Sequence, residues 1–394
     1  MRILIALLGV LVVFALAYLG SNNRKKIRYR PIAVMIGLQV ILSFIFLNTP
    51  VGEAIIKAIS FVFDNLMNYA GQGVDFVFGG MANEGKAPFF LTVLLPIVVI
   101  SSIIGILQYT KILPFIIKYI GLILSKVNGM GRLESYNGVA SAILGQSEVF
   151  ISVKNQLEYL PKYRLYTLCA SAMSTVSMSI VGSYMELLDP KYVVTALILN
   201  LFGGFIIASI LNPYTVNEEE YELQAEEEEG EKQSFFEMLG EYIMDGFKVA
   251  ITVGAMLIGF VALIAIVNGI FKGIIGISFQ QLLGYVFSPI AFIMGVPWGD
   301  LVHAGSLMAT KMVTNEFVAM TDLSSQNPMS VRATGIVSVF LVSFANFSSI
   351  GIITGAVKGL HEKKGNEVAS FGLKLLYGAT LVSILSATIA GLFI

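Results

Sequence analysis

Three short polar groups stand out in an otherwise apolar chain, and they are where chemistry could be done. Gln146-Ser147-Glu148 lies within the stretch 140–150, Thr314-Asn315-Glu316 precedes Phe317, and Asn346-Phe347-Ser348-Ser349 follows later. Gln146 and Glu148 together offer donors and acceptors that can read the edge of a polar heterocycle. Glu316, with Asn315, can grip vicinal hydroxyls, because an ionised carboxylate accepts two charge-assisted hydrogen bonds. Asn346 and Ser349 share a face if their helix is continuous, and Gly351 permits a local break. The three groups read as one binding site for a polar solute. Plainer roles exist: Gln146 to Glu148 could lock two half-helices together, and Glu316 could pair with Lys311, although a five-residue spacing suits a helix poorly. Asn346, Ser348 and Ser349 could simply bond between helices. Binding is favoured because an ionisable residue at membrane depth is costly and survives only beside a cavity or a partner.

That depth follows from composition. The chain has 394 residues, 56% hydrophobic and 13% charged, with a mean hydropathy of +0.80. A soluble domain carries about 25% charge. Apolar runs near the spanning length of roughly 20 residues recur, unlike the alternating segments of about ten in outer-membrane barrels. The fold class is therefore an all-α polytopic membrane protein. The net charge of −1 comes with no basic stripe for a nucleic acid. Cys169 is the single cysteine, which rules out an internal disulfide, and it reads as a small packing residue. His303 and His361 are the only histidines, so the usual zinc ligands are missing.

The elements that must position the polar groups can be taken in order. Ile3 to Leu19 is a first span, and the basic cluster Arg24 to Arg30 after it marks a cytoplasmic end. Ile32 to Leu47 returns outward. Val51 to Met81 reads as an amphipathic helix on the membrane surface, and Phe89 to Gln108 as a third span. Lys111 to Lys126 reads as a cytoplasmic interfacial helix ending in the turn Asn128-Gly129-Met130-Gly131. Arg132 to Leu160 has a polar centre and basic residues at both ends, which predicts a re-entrant hairpin of two half-helices. Leu165 to Met185 spans outward and is rich in Ser, Thr and Met; Tyr192 to Leu211 spans back. Glu218 to Lys232 reads as a solvated acidic loop. Phe235 to Phe247 is amphipathic, and Ala250 to Phe271 is a separate span.

From Phe279 the pattern repeats. Gln280 to Val296 is amphipathic, Pro297 to Thr321 is a second hairpin, Ile336 to Gly355 is a span broken at Asn346 to Ser349, and Ser370 to Ile394 is the last span. Interfacial helix, hairpin, broken span and plain span thus occur twice, roughly 170 residues apart, as Glu148 and Glu316 show. The parity of spans predicts an inverted-topology repeat, as in many secondary transporters. The count is about eight transmembrane helices, two re-entrant hairpins and interfacial helices, with both termini outside the cytoplasm. The chain divides into scaffold helices (1–108), a first transport repeat (109–211), the acidic loop and a scaffold helix (212–271), and a second transport repeat (272–394).

The same residues carry a resemblance. The run Ala309-Thr310-Lys311-Met312-Val313-Thr314-Asn315-Glu316-Phe317-Val318-Ala319-Met320 resembles the signature of the concentrative nucleoside transporter family, Gly-x-Lys-x3-Asn-Glu-Phe-Val-Ala followed by Tyr, Phe or Met, with Ala309 in place of the first Gly. Gly145-Gln146-Ser147-Glu148 and Phe344-Ala345-Asn346-Phe347-Ser348-Ser349-Ile350-Gly351 match the family's other marks. The resemblance covers essentially the whole chain and is closest to bacterial NupC-type members.

It implies a homotrimer in the bacterial inner membrane, with a hairpin-bearing domain that slides past a static scaffold and no cofactor. It implies that Gln146, Ser147 and Glu148 meet the nucleobase, that Ile180 and Phe344 pack against it, and that Glu316, Asn346 and Ser349 hold the ribose. Pyrimidine nucleosides such as uridine are implied among the solutes, although no residue pattern separates them from purines. Sodium-coupled members use an Asn five positions before the hairpin Gln, plus main-chain and hydroxyl oxygens. Those positions correspond here to Ser141, Leu144, Ser147, Thr175 and Val176, and Ser141 replaces the Asn. The departure favours protons over Na⁺, with Glu148 or Glu316 as carrier, because desolvation disfavours a carboxyl's charged form. An intramembrane enzyme is the rival from another class, but no histidine stands beside a nucleophile. A passive channel is a second rival.

Overall fold

The computed structural model describes residues 2–79, 89–216, 233–325 and 329–394, and these are helical with short connections. The acidic stretch 218–232 lies outside the described residues. Helices α1 (Arg2–Leu19) and α2 (Tyr29–Asn48) flank the basic turn at Arg24–Lys26. Helix α3 (Pro50–Phe78) starts where Thr49 accepts a bond from Gly52 N at 3.1 Å and Pro50 occupies the first turn. It buries Ile56, Phe63, Ala70 and Val74 while Phe61, Tyr69 and Phe76 stay exposed, as an amphipathic helix should. The third span opens with a widened turn at Phe90–Leu94, next to Pro96, and continues as α4 (Ile97–Tyr109).

Helix α5 (Ile112–Asn128) lies against the first hairpin arm, α6 (Arg132–Leu144). The return arm differs from the expected half-helix: a 3₁₀ segment (Glu148–Val153) leads into a single turn, α7 (Lys154–Leu157). Val149, Phe150, Ile151 and Val153 explain this, since β-branched and aromatic residues lose side-chain freedom in a helix. The next span consists of α8 (Lys162–Ser174) and α9 (Met178–Leu187), interrupted at Thr175–Ser177, and α10 (Pro190–Leu211) runs back. Ser177 caps α9 by accepting from Ser179 N.

The two pieces expected at 235–247 and 250–271 form one 41-residue helix, α11 (Phe235–Ile275). Nothing between them breaks a helix, and a capping box at Ser234 and Glu237 starts it well before the apolar run. At about 60 Å it is roughly twice the thickness of a hydrocarbon core. Helix α12 (Phe279–Ile293) packs closely on α13 (Leu301–Val313), the first arm of hairpin 2; α14 (Glu316–Ser325) is the second arm. Helices α15 (Val331–Leu341) and α16 (Phe347–Leu360) flank a break at 342–346, and α17 (Glu362–Ser370) leads into α18 (Gly372–Ala390).

Among the described residues, 7 helical stretches are long and apolar enough to cross a membrane. The α15–α16 pair, two shorter apolar helices across a break, takes the place of the eighth span. The core is built where α10 meets α2, α8, α15 and α18. The most apolar window of α10 is 83% buried and that of α11 only 11%, so α10 is central and α11 peripheral. Helices α1 and α2 pack on α18 and α10, whereas α4 packs on α11. Gln39 Nε2 donates to Leu199 O at 2.6 Å, fixing α2 to α10. The two breaks touch, since Phe344 N donates to Thr175 O at 3.2 Å.

A buried ion pair ties the start of hairpin 1 to the helix after it. Arg164 Nε and Nη2 donate to the two oxygens of Glu134 at 2.6 and 2.9 Å, and Tyr214 OH adds a bond at 3.0 Å. Glu134 is 0% and Arg164 2% exposed. Removing one partner strands the other charge away from water, a cost of about 3–5 kcal/mol. Arg164→Leu is therefore expected to lower the thermal midpoint sharply in detergent. Pairing it with Glu134→Leu should recover part of the loss, which differential scanning fluorimetry of both variants would measure.

Candidate functional site

Both hairpin tips, both interrupted helices and one face of α11 enclose a single cavity of about 280 Å³. That is near the lower end of small-molecule sites, roughly 300–1,000 Å³. All eight residues expected to meet a solute line it: Gln146, Ser147, Glu148, Ile180, Glu316, Phe344, Asn346 and Ser349. The two acidic residues, far apart in sequence, thus share one chamber.

Local backbone explains how hairpin 1 presents its polar side chains. Gly145 follows α6 with φ +105°, a conformation that L residues rarely adopt. A Cβ there would come within 2.9 Å of Ser177 Cβ, so the tip approaches the first break too closely for a side chain. The chain can then turn and send Gln146 and Glu148 into the cavity. Gln146 Oε1 and Ser349 Oγ are buried and have no hydrogen-bond partner among the described residues. A buried polar atom left unpaired costs about 1–3 kcal/mol, which a solute that bonds to it would relieve.

Hairpin 2 presents Glu316 at the first turn of α14, where the helix dipole favours a negative charge. Both carboxylate oxygens are already held. Tyr184 OH donates to Oε1 at 2.8 Å and Asn346 Nδ2 to Oε2 at 2.9 Å. Each oxygen retains a second lone pair for a solute hydroxyl. Asn346 is the N-cap of α16: its Oδ1 accepts from Ser349 N at 2.9 Å and from Ser348 Oγ at 2.7 Å. It therefore stands ahead of the helix rather than on a continuous face shared with Ser349.

Asn315 lines the cavity beside Glu316, and its Oδ1 accepts from Val318 N at 2.9 Å, which starts α14. Lys311 does not bond Glu316; its ammonium donates to Phe340 O and Ser343 Oγ, both at 2.6 Å. The spacing of five had already turned the two side chains apart.

Sequence reasoning missed two parts of the site. Tyr184 is fully buried, and its ring packs edge-on against Phe317 with centroids 4.9 Å apart. The available signal was its place four residues after Ile180, on the same face, with a hydroxyl that needs a partner when buried. Helix α11 supplies a wall of Lys248, Val249, Thr252, Val253 and Met256, spaced three and four apart. Residues 250–256 read only as part of an apolar span, because nothing in the sequence shows which partner such a face meets.

Of the positions considered for a coupling ion, Ser147, Glu148 and Glu316 line the cavity, whereas Ser141, Leu144, Thr175 and Val176 do not. Ser141 Oγ donates to Asn137 O at 2.6 Å, and Thr175 Oγ1 donates to Ser171 O at 3.1 Å. Leu144 O accepts from Ser177 Oγ at 3.2 Å. Val176 is fully buried between α8 and α9. Among the described residues, no group of three or more His, Cys, Asp or Glu side chains could hold a metal ion.

This geometry can be set beside known proteins. Residues 192–391 match the family described as Na⁺ dependent nucleoside transporter C-terminus, residues 8–81 match its N-terminus counterpart, and residues 90–191 match a nucleoside recognition domain called Gate. The chain belongs to the concentrative nucleoside transporter family. Family members are transporters, not enzymes, and this chain is a multi-pass membrane nucleoside transporter. It is 38% identical to the purine nucleoside transport protein NupG of Bacillus subtilis over the full length of both chains. It is 29% identical to the nucleoside permease NupC of Helicobacter pylori, covering 99% of this chain and 98% of that one. A solved family structure, CNTnw in an inward-facing substrate-bound state, superposes with a TM-score of 0.94 at 33% identity, covering 100% of this chain and 98% of that one. An outward-facing CNTnw variant superposes at 0.91 with 32% identity and the same coverage.

Two variants test the cavity. Glu316→Gln keeps the shape but removes the anionic acceptor, and nucleoside binding by calorimetry should be lost while the thermal midpoint is kept. Tyr184→Phe deletes one bond to the carboxylate, worth about 1.5–3 kcal/mol for a charged acceptor. Nucleoside affinity should then fall tenfold or more.

Proposed function

We propose that this transporter imports nucleosides across a bacterial inner membrane, driven by the inward flow of protons. One cavity carries this reading: it brings Gln146, Ser147 and Glu148 together with Glu316, Asn346 and Ser349. An amide and a carboxylate on one side suit a base edge, and a carboxylate held open for two hydroxyls suits a ribose. Ile180 and Phe344 add apolar surface for the ring.

The cavity lies between two packing groups, which supports an elevator-type movement. Helices α4 and α11 form the static side. The hairpins move together with α8 to α10, α15, α16 and α18. Helices α1 and α2, which pack on α18 and α10, are assigned with the rest of residues 1–108 to the static scaffold. Three copies arranged around the static helices complete the homotrimer, with both termini outside.

The choice of proton rests on the oxygens near the first break. Ser141, Thr175 and Ser177 direct their hydroxyls at carbonyls, and Thr175 O and Leu144 O each accept a bond from a neighbour. A sodium ion would have to displace those donors. Glu148 and Glu316 are the proton carriers this reading offers. Sodium coupling is the second reading, favoured by the matched family's description as Na⁺ dependent.

Proteoliposomes settle the ion. Labelled uridine and inosine should both be tried, since the Bacillus relative is named for purine nucleosides. An inward proton gradient should drive accumulation that a protonophore abolishes, and an inward Na⁺ gradient alone should not. Accumulation under Na⁺ alone would move the choice to sodium. Equilibration without accumulation under either gradient would make the protein a passive path.

A further inference from the structure

Lys311 does not line the solute cavity, yet it is fully buried. Its ammonium donates to Phe340 O at 2.6 Å and Ser343 Oγ at 2.6 Å, reaches Ser383 Oγ at 3.4 Å, and lies 4.6 Å from the centre of the Phe340 ring. Ser343 and Ser383 also bond to each other at 2.8 Å. Every ligand is neutral: one carbonyl, two hydroxyls and an aromatic face. A cage of this kind replaces the hydration shell of a bare cation. Glu316 is near enough to interact electrostatically, but its oxygens are bonded to Tyr184 and Asn346.

The position of the cage explains why a positive charge belongs there. Phe340 is in the last turn of α15, where carbonyls lack helical partners and the dipole is negative. Lys311 comes from hairpin 2, Phe340 and Ser343 from the second broken helix, and Ser383 from α18. One side chain therefore ties three elements at the point where α15 stops. The first repeat is built differently. Counting Glu148 against Glu316, its counterpart of Lys311 is Ile143, and α8 ends with no basic residue in its last turn. There Ser174 Oγ and Thr175 Oγ1 donate to carbonyls of their own helix instead.

We propose that Lys311 is a tethered cation, held in an oxygen cage at the second broken helix, which locks hairpin 2 to α15 and α18 without any free ion. It is a positioning residue. It touches no solute, but it fixes the break from which Asn346 reaches Glu316. This rests on the transport reading only for its consequence, that the second repeat needs no coupling ion. The cage itself is testable without transport.

The test uses purified Lys311→Ala and Lys311→Met in nanodiscs, with n-propylammonium as probe because it replaces the atoms that the alanine variant lacks. The readouts are thermal midpoint and nucleoside affinity. Both variants should lose at least tenfold in affinity and several degrees in midpoint. Propylammonium should restore the alanine variant at least threefold in affinity and raise its midpoint, while leaving Lys311→Met and the unsubstituted protein unchanged. If the alanine variant folds only when prepared with propylammonium, that supports the cage; failure to fold in both conditions overturns it. Unchanged affinity in Lys311→Met overturns it, as does an amine effect on both variants or on neither. A Glu316→Gln/Lys311→Met pair whose midpoint recovers relative to Lys311→Met would make Lys311 the counter-ion of Glu316 and overturn the cage. Additive losses support it. Failure of the unsubstituted protein to accumulate nucleoside would sink the transport reading while leaving the midpoint result to stand.

Discussion

Two broken helices touching at their breaks are the constraint on which this structure depends. Each interruption frees backbone donors and acceptors far from water, and a lipid environment offers them no partner. Here the breaks serve each other and their neighbours. Phe344 N donates to Thr175 O, Asn200 Nδ2 donates to Val342 O, and Ser177 Oγ donates to Leu144 O at the end of the hairpin 1 arm. Without that mutual satisfaction, polar backbone could not be held at this depth.

The broken helices also explain the electrostatics of the cavity. Helices α9, α14 and α16 each begin beside it, so their positive dipole ends face Glu148 and Glu316. Helix α15 ends at the same level, where Lys311 meets its terminal carbonyl. Negative side chains thus stand at helix starts and a positive one at a helix end. Tyr184 of α9 and Asn346 at the start of α16 then hold Glu316, making the cavity-lining carboxylate a link between the two broken helices.

Peripheral parts obey looser rules. Helix α11 exposes most of its apolar surface and contributes a wall through residues spaced three and four apart. It packs on α4, whereas α1 and α2 pack on α10 and α18.

Much of this was legible in the sequence. Charge at both ends of an apolar stretch gave the hairpin at 132–160, and three polar groups named six of the residues that line the cavity, to which the family resemblance added Ile180 and Phe344. These are local properties: hydropathy, charge sign and residue type need no knowledge of neighbours in space. The continuity of α11 was missed because a change from amphipathic to apolar composition resembles a boundary although no breaker is present. The bond from Tyr184 to Glu316 and the turn of Lys311 toward Phe340 and Ser343 were decided only by tertiary structure. A side chain with several possible partners takes the one that packing brings within about 3 Å, and for Tyr184 that partner lies 132 residues along the chain.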